Sequence, residues 1–214
     1  VNLKLVGLFY KQKSIVMQKT LSRSVLFLSC VSGSISYINA QEQKQPNIIF
    51  ILSDDHAYQG IGVYGNKIVQ TPNIDRIANE GALLTTNLVA NSISGPSRAT
   101  LLTGKFSHKN GFKENEKEDF NMNQPLFTDV LHENNYQTVW IGKMHLGSLP
   151  QRLDYWSILP GQGHYYNPDF ISSPNDTLQF QGYVSDIITD QSIEGIRKRD
   201  ESKPFFLVIG HKAK

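Results

Sequence analysis

The 214-residue sequence contains one cysteine, Cys30. Beyond that residue it has no means to build a disulfide framework, a thiolate metal cluster or a thiol nucleophile. Charged residues make up only 19% and hydrophobic residues 39%, which excludes a charge-rich disordered segment and a collagen-like repeat. No internal repeat is visible. The apolar run from Val25 to Val31 is too short, and its surroundings too Ser-rich, for stable insertion across a bilayer. Acidic residues are missing from residues 1–40, which hold five basic ones (Lys4, Lys11, Lys13, Lys19 and Arg23). Without those five, residues 41–214 carry 16 positive against 19 negative charges, a net −3. A nucleic-acid partner, read from overall charge, is therefore excluded.

The leader has its own pattern. From Met17 a basic start (Lys19, Arg23) precedes the short apolar core and then small and polar residues up to Ala40. This is the layout of a secretory signal peptide over 17–40, cut before Gln41, and it predicts a periplasmic or secreted protein. Residues 1–16 precede that start and read as an extension of the gene model. The remaining 41–214 read as one α/β unit.

Ile48 to Leu52 is a continuous apolar run, expected to form a strand buried on both faces of a parallel sheet. Thr71-Pro72-Asn73 opens a helix with Ile74, Ile77 and Ala78 at helical spacing and Gly81 as its stop. A second helix is expected from near Pro96 to Gly104, a charged Asn-rich loop over 113–124, a helix over 126–133 and a strand over 137–141. Residues 149–178, rich in aromatics, read as an irregular insertion. A helix over 183–199 and a strand over 205–209 follow. Alternating strands and helices define an α/β class. The sequence stops at Lys214, directly after a strand, and this predicts a domain continuing beyond it.

Three constellations carry chemistry. Asp54-Asp55, at the carboxyl end of the first strand, offers adjacent carboxylates that either bind a hard divalent cation or cap a solvated turn. Ser94-Gly95-Pro96-Ser97-Arg98 puts a hydroxyl just before a helix start, with free N–H groups behind it and a cation one turn on. It reads either as a nucleophile at an oxyanion site or as an ordinary helix cap with a surface Arg. Lys143 and His145 alternate at the end of the next strand; they share a face toward the same sheet edge or face solvent.

These segments resemble a family. Ser94 to Gly104 is similar to the sulfatase signature, a Cys or Ser followed by x-Pro-Ser-Arg and ending in Leu-Thr-Gly. Tyr136-Gln137-Thr138 through Gly142-Lys143-Met144-His145 resembles the second sulfatase signature, with Asn135 where a Gly usually precedes the Tyr. Asp54-Asp55 and Thr71 to Asp75 match the family's N-terminal region, and the likeness runs from Pro46 to Lys212. Leu159-Pro160-Gly161-Gln162-Gly163 and Tyr165-Tyr166-Asn167-Pro168 resemble bacterial N-acetylglucosamine-6-sulfatases.

The resemblance implies an alkaline-phosphatase-like, predominantly parallel sheet flanked by helices, truncated at its C-terminal side. It implies hydrolysis of sulfate esters on sulfated glycans, such as 6-O-sulfated N-acetylglucosamine of glycosaminoglycans. Ser94 would be oxidised to formylglycine by a radical-type serine maturase. One hydroxyl of the hydrated aldehyde attacks sulfur and expels the sugar alcohol; the other collapses to release sulfate. Ca²⁺, with Mg²⁺ as the alternative, would be held by Asp54, Asp55 and the modified Ser94. Arg98 would steady the reacting group, Lys143 and Lys212 would bind substrate, and His145 would handle protons. The family continues after the last strand with Pro-His, whereas this sequence reads His211-Lys212-Ala213-Lys214. Two other readings stand beside it: a phosphatase or phosphonate hydrolase of the same fold using unmodified Ser94, and an inactive truncated relic.

Overall fold

A computed structural model describes residues 45–115 and 119–212. The leader, with Met17 and Cys30, lies outside the described residues, as do Ala213 and Lys214.

Six strands form one sheet: β1 (Ile48–Ser53), β2 (Gln137–Lys143), β3 (Tyr155–Leu159), β4 (Asp169–Ser173), β5 (Asp176–Gln179) and β6 (Phe205–His211). Their spatial order is β1-β6-β2-β3-β4-β5. The first four in that order run parallel, and β4 and β5 are antiparallel additions. Five α-helices accompany them among the described residues: α1 (Pro72–Glu80), α2 (Ser94–Thr103), α3 (Ser107–Asn110), α4 (Phe127–Glu133) and α5 (Val184–Arg197). No helix among them is long and apolar enough to cross a membrane.

Period-two alternation along β2 and β6 feeds two cores, one on each face of the sheet. Trp140, Phe206 and Val208 point to one face, where Ala99 and Leu102 of α2 and the loop residues Phe112, Phe120 and Met122 cover them. Val139, Ile141, Phe205, Leu207 and Ile209 point to the other, beneath Val184, Ile187 and Ile188 of α5. The charged Asn-rich loop thus remains irregular where described, yet contributes two buried apolar anchors.

Two expectations are corrected. β1 is not buried on both faces: Ile48 and Phe50 pack on the core, but Ile49 is 40% and Ile51 49% exposed. The cause is position, since β1 is the edge strand and α5 packs on β6 and β2. Residues 149–178 are not an irregular insertion, because they contain β3, β4 and most of β5. β3 is anchored beside β2 by Asp154, whose carboxylate accepts hydrogen bonds from the Thr138 N–H (2.6 Å) and hydroxyl (2.9 Å). Pro174-Asn175 then turns β4 into β5.

The register fixes the location of the site. Gly210 of β6 pairs with Leu52 on one side and with Gly142 on the other. The carboxyl ends of β1, β6 and β2 are therefore side by side, and Asp54, Lys212 and Lys143 stand at one sheet edge. In open α/β sheets this is the edge where ligands bind.

Candidate active site

Asp54 is the first residue beyond β1, and its N–H bonds the His211 carbonyl at 3.0 Å. Its carboxylate is buried. Oδ1 accepts from Ser94 Oγ at 3.1 Å and from Arg98 Nη2 at 3.3 Å, and Oδ2 accepts from Lys143 Nζ. Arg98 and Lys143 are both 1% exposed. Arg98 also donates Nη1 to the Ser94 carbonyl at 2.9 Å and to Ser94 Oγ. The Ser94 hydroxyl is thus held as donor to Asp54 and acceptor from Arg98.

Burial alone would raise the Asp54 carboxyl's pKa. The hydrogen bond from Lys143 and the charges of Arg98 and Lys143, with the Ser94 hydroxyl, outweigh it and hold the group below the usual carboxylate range. Burial pushes Arg98 and Lys143 down, opposed in both by Asp54. One buried anion and two buried cations leave the centre of the cluster with excess positive charge, suited to an anionic ligand.

Ser94 is the first residue of α2, with Ile93 as the cap, so it does not precede the helix as its spacing suggested. The N–H groups behind it are not free. Gly95 N–H bonds Asn115 Oδ1 at 3.0 Å, and Ser97 N–H bonds the Ile93 carbonyl at 2.8 Å. The attraction for an anion therefore comes from side-chain cations more than from the helix end. Asn115 carried no sequence signal, because its role depends on a long-range approach.

The other candidates fall around this cluster. Asp55 is exposed and left-handed, with φ 54°. His145 is buried, but strand alternation does not carry to it: β2 ends at Lys143, and His145 has φ 53°. Its carbonyl faces Gly95, where a Cβ would come within 2.6 Å of the oxygen. Lys212 places Nζ 4.3 Å from the ring centre of Tyr165. Gln162, which the sequence reading assigned no role, accepts from Lys143 Nζ through Oε1 at 2.6 Å. A cleft of about 180 Å³ is lined by His145 together with Leu149, Leu159 and Gly161.

Asp54, Asp55 and Ser94 supply oxygen donors of the type a hard divalent cation takes. Three of the roughly four lone-pair sites of Asp54 are already engaged. Among the described residues no group of three or more His, Cys, Asp or Glu side chains converges to hold a metal. The donor chemistry is of the type such an ion takes, but these three residues alone would supply only part of its shell.

A family model described as Sulfatase matches residues 46–213. The chain is 46% identical over 202 residues to N-acetylglucosamine-6-O-sulfatase of Bacteroides thetaiotaomicron, covering 92% of this chain and 36% of that protein. It is 34% identical over 144 residues to N-acetylgalactosamine-6-sulfatase of Rattus norvegicus, covering 62% and 28%. A structure solved in complex with its substrate D-glucosamine-2-N,6-O-disulfate superposes with a TM-score of 0.77 at 49% identity, over 79% of this chain and 35% of that one. Ps i-CgsB, solved with k-i-k-neocarrahexaose, superposes at 0.73 with 28% identity, over 78% and 45%. The chain spans about a third of the length of the first of each of these.

Proposed function

The chain belongs to the sulfatase family, and from that premise we propose that it carries the sulfate-ester site of an enzyme acting on 6-O-sulfated N-acetylglucosamine in sulfated glycans. The observation that carries this reading is the buried Asp54 carboxylate, shared by Arg98, Lys143 and the Ser94 hydroxyl at the carboxyl edge of the parallel strands. The sugar specificity draws support from the N-acetylglucosamine-6-O-sulfatase relative and from the superposed structure with a 6-O-sulfated glucosamine.

In this reading the chain's own groups divide the work. Arg98 fixes Ser94 by donating to both its backbone carbonyl and its hydroxyl oxygen, which sets the direction of attack. Lys143 supplies positive charge where the sulfate oxygens would lie, and Lys212 adds a second cation at the same edge. Asp54 opposes the effect of burial on both Arg98 and Lys143. Oxidised to formylglycine by a radical-type maturase, Ser94 would offer a hydrated aldehyde as nucleophile. A divalent cation, Ca²⁺ or Mg²⁺, drawing on Asp54, Asp55 and residue 94, would supply further charge neutralisation. His145 takes the proton-handling role in this proposal, and the leader directs the protein to the periplasm or outside the cell.

The test is sulfate release from N-acetylglucosamine 6-sulfate by protein co-expressed with a serine-type maturase, in buffer containing Ca²⁺. The reading expects release, its loss in Ser94→Ala, and a Ser94 peptide lighter than the encoded one by two hydrogens. Phosphate release from N-acetylglucosamine 6-phosphate by unmodified Ser94, without sulfate release, would transfer the site to phosphatase chemistry.

A further inference from the structure

The loop after β3 reaches Lys143 of the cluster and Lys212 at the same sheet edge. A Lys ammonium has three donors. At Lys143 one meets Asp54 and another meets Gln162 Oε1, so the third is what a bound anion can use. Because an ammonium only donates, Gln162 must present its carbonyl oxygen, which leaves two amide donors for a ligand oxygen. Three residues on, Tyr165 lies under Lys212 with its ring 4.3 Å from Nζ, a cation–π geometry.

The loop is tied down on both sides of these contacts. Gly163 has φ 65°, its N–H bonds the Pro160 carbonyl at 2.8 Å, and a Cβ there would stand 2.9 Å from Leu159 side-chain atoms. The Tyr165 carbonyl accepts from Val184 N–H at 2.8 Å, and Asn167 N–H bonds the Gly182 carbonyl at 2.9 Å. A neutral side chain at 162 also matters: a carboxylate there would cancel charge that Lys143 brings to the site.

We propose that residues 160–165 are the element that sets anion affinity at this site, with Gln162 positioning the Lys143 ammonium and Tyr165 positioning Lys212 for the sulfate group of a sulfated sugar. This rests on the sulfatase reading. Neither residue touches the reacting atoms in this account; each acts through a lysine.

The experiment is calorimetric binding of N-acetylglucosamine 6-sulfate to the full chain, with unsulfated N-acetylglucosamine as control, for wild type, Gln162→Leu, Gln162→Glu and Tyr165→Leu. A hydrogen bond to a charged group predicts about tenfold weaker binding for Gln162→Leu. An exposed cation–π contact predicts about threefold for Tyr165→Leu. Gln162→Glu, which keeps the acceptor and the length, must weaken binding more than Gln162→Leu at low salt, and the difference must shrink as salt is added. A purely structural role would not produce that salt dependence. If wild type binds the sulfated sugar and the Gln162 variants bind equally well, the loop proposal is overturned while the functional reading stands. If wild type does not distinguish the sulfated from the unsulfated sugar, the functional reading falls and the loop proposal with it.

Discussion

Replacing Asp54 with Asn leaves the shape of the site almost unchanged and removes its only buried negative charge among the described buried side chains. Arg98 and Lys143, each 1% exposed, would then face one another without a buried counter-charge. Removing one partner of a buried ion pair costs about 3–5 kcal/mol. For a unit of this size a Tm falls roughly 2–4 °C per kcal/mol, so the expected drop is about 6–20 °C. Urea denaturation followed by circular dichroism, with calorimetry in parallel, measures it. Lys143→Met in the Asp54→Asn background must restore part of the loss, because it removes one of the two stranded cations. The pH dependence supplies a second check. The Asp54 carboxyl is held low in the fold, so its stabilisation is present above about pH 4, the unfolded value, and disappears as pH falls through the lower folded value. Asp54→Asn should lose that acid limb. A loss below about 1 kcal/mol, the size of an exposed ion pair, or a double variant no more stable than the single, would refute the reasoning.

Other perturbations follow from particular contacts. Gly95→Ala puts a Cβ 2.6 Å from the His145 carbonyl and 2.8 Å from Asn115 Oδ1 and the Phe112 ring. Overpacking of that kind costs about 1–3 kcal/mol, read as a lower urea midpoint with unchanged slope. Burial pushes the His211 imidazole's pKa down, so the unfolded chain takes up a proton first and stability falls as pH drops below about 6.5. His211→Gln should flatten the Tm profile between neutral pH and about pH 5.5; an unchanged slope would contradict the assignment. Asp154→Ala removes the acceptor of the Thr138 N–H and hydroxyl. It should cost about 1–3 kcal/mol by stranding the buried Thr138 groups, seen as faster amide exchange in β2 and β3.

Much of this architecture was legible because its signals are local. The helix opened by Thr71-Pro72 and closed by Gly81 rests on fixed φ at Pro72 and a stop residue, and it spans Pro72–Glu80. The buried strand at 137 and the apolar strand at 205 announced themselves by Val139-Trp140-Ile141 and by the apolar run from Phe205 to Ile209, and they are two inner strands that feed both cores. Asn135, where the family usually has Gly, has φ 65°; Asn is one of the few other residues that accepts this region. What escaped the sequence was long-range. The exposure of Ile49 and Ile51 depends on which strand takes the sheet edge, and β3 to β5 depend on pairing partners that no short window contains. The same limit applied at the site. Gln162 and Asn115 act on groups 19 and 20 residues away, and the register of β6 between β1 and β2 is what brings Lys143 to Asp54. His145 was placed by strand alternation, an argument that ended with the strand at Lys143.

The measurement that bears most directly on the central claim is a crystal structure of the full chain with N-acetylglucosamine 6-sulfate. The account predicts the sulfate group at the carboxyl edge of β1, β6 and β2, with its oxygens within hydrogen-bond distance of Lys143 Nζ and its sulfur facing the residue 94 side chain. A sulfate bound away from the Asp54, Ser94, Arg98 and Lys143 cluster, with those four side chains still closed on one another, would contradict it.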